Sequence, residues 1–142
     1  MPIIWKPRDR AVRVRLAAGY SMADAELSGI NLSSMNLRRR DLRAADLSFC
    51  DFTGSDLRGA QLKGAKLRGA YLNGAQLQEA NLRGAELDFA SLLAADLAGA
   101  NLEGATMRSV VFDQATRWPV GIHPPQSHAV DRVPAHVRGA LR

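Results

Sequence analysis

The sequence predicts an all-β solenoid, a chain that coils around an axis and stacks its side chains from coil to coil. Three observations lead to this fold class. Leucine recurs at every fifth residue, a small residue usually stands two places before it, and glycine often stands two places after it, as in AQLKG, AKLRG and AYLNG. A period of five fits neither a helix nor a continuous strand, because both would carry the leucines onto different faces.

Glycine supplies the corner that such a coil needs. It adopts backbone angles that are closed to most other residues, so each five-residue unit becomes a short extended piece with two inward side chains, followed by a turn. One unit alone buries almost no apolar surface. The stability of the fold must therefore come from stacking coil on coil, with backbone hydrogen bonds along the axis.

The repeated segment covers residues 25–114 and contains eighteen units. Its central positions form the predicted core: Leu27, Leu32, Leu37, Leu42, Leu47, Phe52, Leu57, Leu62, Leu67, Leu72, Leu77, Leu82, Leu87, Leu92, Leu97, Leu102, Met107 and Phe112. Two places before most of them stands alanine, and Cys50 and Arg40 are among the exceptions. We expect Cys50 to be a buried small hydrophobe, and Arg40 to bend out to solvent or to pair with an acid such as Asp41.

Units such as ADLSF, SDLRG, ANLRG and ANLEG resemble the A(D/N)Lxx repeats of the pentapeptide-repeat family, over about ninety of the 142 residues. The resemblance implies a right-handed, four-sided (quadrilateral) parallel β-helix with one unit per side. Eighteen units then make about 4.5 coils, and at a strand spacing of ~4.8 Å the rod would be roughly 22 Å long.

Both ends of an open solenoid expose strand edges, so we expect capping segments around the rod. The predicted division is a basic N-terminal cap at residues 1–19, the β-helix at residues 20–114 and a C-terminal cap or tail at residues 115–142. In the tail, Arg117 stands where leucine is due, and Trp118 with the following proline ends the period. The segment TRWPVG is similar to one that closes the rod in some members of the family.

The conformation of the N-terminal cap has two readings. Pro7 and Gly19 bracket a segment in the order that is typical of a helix, with proline first and glycine last. Val12, Val14 and Leu16 alternate instead as they would in a strand. We favour the helix and keep the strand as the alternative.

The net charge of +5 is unevenly distributed: residues 1–19 carry +4, residues 20–114 carry −2 and residues 115–142 carry +3. Neither basic end has interleaved aromatic residues or a nucleic-acid motif, so nucleic-acid binding is disfavoured. No apolar run is long enough to span a membrane, and the N-terminus lacks the apolar core of a signal peptide. We therefore expect a cytoplasmic protein that does not bind membranes.

No residue pattern predicts an enzyme, a metal site or a cofactor. The acidic series Asp41, Asp46, Asp51 and Asp56 places each carboxylate on a different side of the coil, so the series offers no pair for acid–base catalysis. His123, His128 and His136 are the only histidines, and their spacing fits no familiar zinc pattern.

Two functions remain after these exclusions. The first is a non-catalytic scaffold that binds an unidentified protein through the outer faces of the rod. The alternative, implied by the family, is a mimic of duplex DNA that binds DNA gyrase and protects it from inhibitors. A mimic needs a sustained acidic surface, whereas one column of the fourth face is basic: Arg43, Lys63 and Arg83. The first face is mixed and reads Glu26, Asp46, Lys66 and Glu86.

Five large apolar residues gather on or beside the second face of the four-sided rod, which indicates an interaction patch. They are Phe49, Tyr71, Phe89, Leu93 and Val111. Three hypotheses account for them. The patch is covered by the protein's own tail, through Val130, Val133, Val137 and Leu141, or it forms the seam of a homodimer, or it binds an external partner.

Overall fold

The computed structural model describes residues 7–123. These residues form one helix, α1 (Pro7–Ala17), followed by a coil that is held together by isolated parallel β-bridges. The bridges join residues twenty apart, from Glu26 with Asp46 to Ser91 with Val111. Four five-residue units therefore make one coil, as the resemblance implied. The sides of the coil are joined by single bridged pairs rather than by extended strands.

Each unit contains five positions, which we name in chain order: inner small, first outward, central, second outward and corner. The backbone of the first outward residue both donates a hydrogen bond to the preceding coil and accepts one from it. The amide of Asp46 donates to the carbonyl of Ala25 (2.9 Å), and its carbonyl accepts from the amide of Leu27 (2.8 Å). The carbonyl of the second outward residue, Ser48, accepts from the corner amide of Gly29 (2.8 Å). Towards the preceding coil, a unit thus presents two carbonyls and one amide.

The corners confirm the role predicted for glycine and extend it to other residues. Every fifth residue from Asp24 to Ser109 has a positive φ, whether or not it is glycine. Glycine adopts this left-handed conformation freely, whereas other residues do so at a cost of about 1–2 kcal/mol each. The coil therefore imposes the corner geometry on the chain even where the residue does not favour it.

The central side chains fill the interior, and those from Leu32 to Leu97 are inaccessible to solvent. Met107 differs because it lies on the last coil, where it is only partly buried. Cys50 is buried as expected. Arg40, in contrast, neither reaches solvent freely nor pairs with Asp41: its guanidinium turns towards the N-terminal helix and donates to the carbonyl of Ala17 at 3.4 Å.

The helix α1 covers the open first coil, so the helical reading of this segment is confirmed. Val12 and Leu16 lie four residues apart on one face of the helix and are buried in the core, while Val14 is 61% exposed on the other side. The amides of Gly19 and Tyr20 donate to the carbonyls of Leu16 and Arg15, both at 3.0 Å, and Gly19 has a φ of 86°. This closure is the common glycine termination of a helix.

The period does not end where the sequence indicated, because one extra residue shifts the register near the C-terminal end. Arg117 bridges to Asp96 twenty-one residues away rather than twenty. The shift brings Thr116 into the inner small position and Trp118 into the central position, where Trp118 packs edge-on against Phe112 with ring centres 5.4 Å apart. The coil thus continues past residue 114, and it is Trp118, not Arg117, that replaces the expected leucine.

Candidate interaction surface

The corner between the first and second faces carries two phenylalanines on alternate coils. Phe49, Gly69 and Phe89 are twenty residues apart and occupy equivalent corners of three successive coils. The side chains of Phe49 and Phe89 are 59% and 52% exposed, and that of Tyr71, at the next first outward position, is 51% exposed. We call these three residues the aromatic corner.

The backbone at the aromatic corner is strained. Phe49 and Phe89 have φ values of 59° and 63°, in the left-handed region that bulky residues rarely adopt. Glycine occupies the same corner in the coil between them, at Gly69. Two aromatic rings therefore stand at positions where the fold favours glycine, and neither ring fills the core.

Two contacts order the rings along the rod. The Phe49 ring lies on Gly69 of the next coil, so closely that a Cβ atom at that glycine would come within 2.5 Å of it. The guanidinium of Arg68 lies over the Phe89 ring, 4.7 Å from its centre. Such a stacked arginine gains from the ring quadrupole and adds a positive charge to an otherwise apolar surface.

The structure places Tyr71, Leu93 and Val111 on the second face, as expected. Tyr71 forms β-bridges with Asp51 of the preceding coil and with Ser91 of the following coil, so its backbone lies near the middle of the rod. Leu93 and Val111 are partly buried. The aromatic corner is therefore the most exposed part of the predicted patch.

The repeat pattern and the coil geometry together agree with a comparison to known families. The family described as pentapeptide repeats matches this chain in eight copies, over residues 21–59, 60–93 and 85–116. The chain belongs to the pentapeptide-repeat family. No curated protein was found to match it.

Solved structures of pentapeptide-repeat proteins resemble the chain. A protein from the thylakoid lumen of Arabidopsis thaliana is 30% identical, with a TM-score of 0.53, over 63% of this chain and 66% of its own. One from the cyanobacterium Cyanothece 51142 is 38% identical, with a TM-score of 0.43, over 67% of this chain and 61% of its own. The chain thus spans slightly less than two thirds of these two proteins. QnrB1, a plasmid-mediated fluoroquinolone resistance protein, is 18% identical with a TM-score of 0.33, over 70% of this chain and 66% of its own.

The basic column of this pentapeptide-repeat protein is partly neutralised by its neighbours. Arg43 forms a two-pronged contact with Asp41, at 2.8 and 3.0 Å, and Arg83 lies 3.5 Å from Glu103. Hydrogen bonds from Arg43 and Ser21 hold the pKa of the Asp41 carboxyl well below its usual range. The column Arg43, Lys63 and Arg83 is therefore less positive than the sequence alone indicates.

The acidic series has a structural role that the sequence reasoning missed. Each carboxylate accepts a hydrogen bond from the amide two residues later in its own unit, as Asp51 does from Thr53 at 2.9 Å and Asp46 from Ser48 at 3.1 Å. This amide belongs to the second outward position and points away from the neighbouring coils. The preference for Asp or Asn in the A(D/N)Lxx unit follows, because these short side chains reach that amide.

Where the Asp or Asn is missing, the preceding coil can supply the acceptor. The amide of Leu93 donates to Oδ1 of Asn73 (3.1 Å), and the amide of Arg108 donates to Oδ1 of Asp88 (2.7 Å). The first outward residues of those two units are Ser91 and Thr106, whose hydroxyls also donate to the same side chains. Asp88 is buried and binds the Arg108 guanidinium at 3.1 Å, which lowers the pKa of its carboxyl.

The thiol of Cys50 is buried and weakly acidic. Burial raises the pKa of the Cys50 thiol to about 11, and its Sγ donates to the carbonyl of Leu27 at 3.0 Å. Residues 7–123 contain no group of three or more His, Cys, Asp or Glu side chains that could hold a metal ion. His123 is exposed, while His128 and His136 lie outside the described residues.

Two further expectations concern the tail and membranes. The hypothesis that the tail covers the patch rests on Val130, Val133, Val137 and Leu141, all of which lie outside the described residues. Among residues 7–123, no helix has the length and apolar character needed to cross a bilayer.

Proposed function

We propose that this pentapeptide-repeat protein is a non-catalytic scaffold that binds another protein through the aromatic corner. The observation that carries this proposal is the exposure of Phe49, Tyr71 and Phe89 on one edge of a rod whose other outward positions are mostly polar or glycine. Three exposed aromatic side chains on one edge are more than the scattered apolar residues found on any surface.

The two phenylalanines share their backbone strain with seven other non-glycine corners, and among these they stand out by their exposed aromatic rings. Left-handed backbone at a non-glycine residue costs of order 1–3 kcal/mol and tends to persist where function requires the side chain. Phe49 and Phe89 contribute little to the core in return, since each residue is more than half exposed. Packing of the core therefore gives no reason for an aromatic residue at either corner.

The chemistry around the corner indicates the kind of partner. Tyrosine, arginine and phenylalanine are enriched in the central, desolvated contacts of protein interfaces. Arg68 already stacks on Phe89, so its guanidinium needs little further ordering when a partner binds. A partner with an apolar pocket and a nearby carboxylate would complement both the rings and this positive charge.

The test replaces both phenylalanines by the residue that the backbone favours. In the Phe49→Gly/Phe89→Gly variant, the relief of about 1–2 kcal/mol of strain per corner is offset by about 0.4–1 kcal/mol of extra unfolded-state entropy for each glycine. The net change is a gain of about 0–1.6 kcal/mol per corner, so we expect this variant to be at least as stable as the unmodified protein. We expect its capture of partner proteins from lysate in cross-linking experiments to fall at least tenfold.

The matched control is Ala44→Gly/Ala94→Gly, which makes the same backbone change at other corners, where φ is 55° in both cases. This variant should retain full partner capture. Light scattering of all three proteins decides between an external partner and a homodimer: a dimer that the Phe49→Gly/Phe89→Gly variant dissolves would identify the second copy as the partner. Equal capture and equal mass for all three proteins would refute the proposal.

A further inference from the structure

The second face of the rod carries few charges at its outward positions. It consists of the units at residues 30–34, 50–54, 70–74, 90–94 and 110–114. Of the ten outward side chains of these units only Asp51 and Asp113 are charged, whereas seven of the ten equivalent side chains on the first face are charged. Charged residues are depleted at the centre of protein interfaces, so the second face has the composition of a contact surface.

The polar groups of this face already bind partners within the rod. The Ser33 hydroxyl donates to Oδ1 of Asn31, and the Ser91 hydroxyl donates to Oδ1 of Asn73, both at 2.6 Å. Oδ1 of Asp113 accepts from three main-chain amides, each at 3.0 Å. A polar group that is already hydrogen-bonded loses less when water is removed from it. Covering this face therefore costs little desolvation.

The aromatic corner is arranged symmetrically along the edge of this face. Tyr71 lies in the coil of Gly69, with Phe49 one coil before it and Phe89 one coil after it. A twofold axis perpendicular to the rod at the level of Tyr71 therefore brings Phe49 of one copy opposite Phe89 of the other. It also brings the two Tyr71 side chains together. A twofold interface pairs residues in this reciprocal way.

We propose that the second face is the interface of a homodimer of antiparallel rods, with its twofold axis at the level of Tyr71. This inference rests on the proposed function, since it names a second copy of this chain as the partner of the aromatic corner. The same axis places Thr53 of one copy opposite Leu93 of the other. Asp51 and Asp113 each face a serine of the other copy, so no two carboxylates of these faces meet across the interface.

The area of the contact fits a homodimer of antiparallel rods. Each half-exposed ring of the aromatic corner offers roughly 100 Å², about half of what a whole aromatic residue buries, so six rings supply about 600 Å². A stable interface needs roughly 1,200 Å², and the nine other outward side chains of each face are available for the remainder. A parallel pair would lose most of the ring contribution, because its axis puts the two aromatic corners on opposite edges of the interface.

The experiment places charges at the facing positions and measures the mass of the full-length protein by multi-angle light scattering over a hundredfold concentration range. Thr53→Glu/Leu93→Glu puts two glutamates opposite each other across the interface. Thr53→Lys/Leu93→Glu, the matched control, puts a lysine opposite a glutamate. Within one copy the two positions are separated by the coil of Asn73, and both variants leave the aromatic corner intact.

We expect the unmodified protein and the Thr53→Lys/Leu93→Glu variant to dimerise. The Thr53→Glu/Leu93→Glu variant should have a dimer dissociation constant at least tenfold higher, because like charges then meet where water is excluded. An unmodified protein with the mass of one copy at every concentration would overturn the proposal. Equal dissociation constants for the two variants would overturn it as well.

If either variant fails to fold in a thermal unfolding measurement, Tyr71→Glu decides the question, because it brings two like charges together at the twofold axis. Loss of the dimer in this folded variant would support the proposal, and an unchanged mass would overturn it. The capture experiment with Phe49→Gly/Phe89→Gly tests the proposed function separately. A single-copy mass together with lost capture of a different protein would overturn the homodimer and leave the scaffold standing.

Discussion

At the scale of one residue, the corner position combines two constraints: the backbone conformation that the coil requires and the space that neighbouring side chains leave. All corners share a left-handed backbone, yet the space around them differs. A Cβ atom at Gly64 would meet no atom within 4 Å, whereas one at Gly69 would lie 2.5 Å from the Phe49 ring. Backbone strain and side-chain crowding can therefore be separated by comparing these two glycines, because their φ values are nearly equal, 68° at Gly64 and 65° at Gly69.

The prediction is that Gly69→Ala destabilises the protein more than Gly64→Ala does. Both variants should lose about 1–2 kcal/mol from the positive φ. Gly69→Ala should lose about 1–3 kcal/mol more, because the new methyl group displaces the Phe49 ring. Urea unfolding measures both values, and adding Phe49→Gly should remove the difference between them. Equal losses for the two alanine variants would contradict the contact between Phe49 and Gly69.

At the scale of the unit, one side chain from a coil can complete the hydrogen bonding of the next. Asp88 is the strongest case because it is buried and accepts from the amide and the guanidinium of Arg108 as well as from the hydroxyl of Thr106. Replacing it leaves a backbone amide without an acceptor in a place that water reaches poorly.

We therefore expect Asp88→Ala to lower the free energy of unfolding by about 1–3 kcal/mol, since a satisfied amide loses its acceptor. Glu86→Ala, at an exposed position of the same unit, is the control and should change it by less than about 0.5 kcal/mol. Asp88→Asn keeps the oxygen that accepts from the Arg108 amide and should fall between the two. A loss for Asp88→Ala no greater than that of the control would show that this acceptor is dispensable.

The same carboxylate predicts the direction of the pH dependence. Its pKa is lowered in the folded protein, chiefly by the hydrogen bond from Arg108, so its contribution to stability is complete above the ordinary aspartate pKa of about 4. The contribution is lost as the pH falls below that value towards the lowered pKa. The stability difference between the unmodified protein and Asp88→Asn should accordingly shrink below about pH 4.

At the scale of the whole molecule, the distribution of charge distinguishes a scaffold from a mimic of duplex DNA. The first face alternates in sign from Asp46 through Lys66 to Glu86. Ion pairs such as Arg43 with Asp41 and Arg58 with Asp56 place a positive charge beside an aspartate at the surface. Residues 20–114 carry a net charge of only −2. A phosphate backbone carries one negative charge per ~1.7 Å of duplex axis, so the rod lacks the sustained negative potential of DNA.

We expect no effect of this protein on DNA gyrase. In a supercoiling assay with purified gyrase, run with and without a quinolone, activity should be unchanged at stoichiometric protein. Heat-denatured protein is the control for non-specific effects. Inhibition of supercoiling or protection from the drug by the folded protein alone would favour the mimic over the scaffold.

Much of the fold could be predicted because the five-residue pattern is a local property. The inward positions, the corners and the helical cap between Pro7 and Gly19 all depend on residues close together in the chain. The aromatic corner could be located in the same way, since Phe49 and Phe89 fall on equivalent corners once four units make a coil. How far each ring is exposed could not be predicted from the pattern.

The sequence by itself determined the solenoid, its core and the family to which the chain belongs. The reason is that a chain with leucine at every fifth residue has few other ways to bury all of its leucines. Only the tertiary structure decided which side chains meet across coils. Contacts between residues about twenty apart or more decide three features: the register shift that pairs Arg117 with Asp96, the hydrogen bond from Arg40 to Ala17, and the hydrogen bonds from Arg8 and Arg13 to carbonyls of the first coil. The physical reason is that such contacts depend on the register of stacked coils, which the five-residue period does not encode.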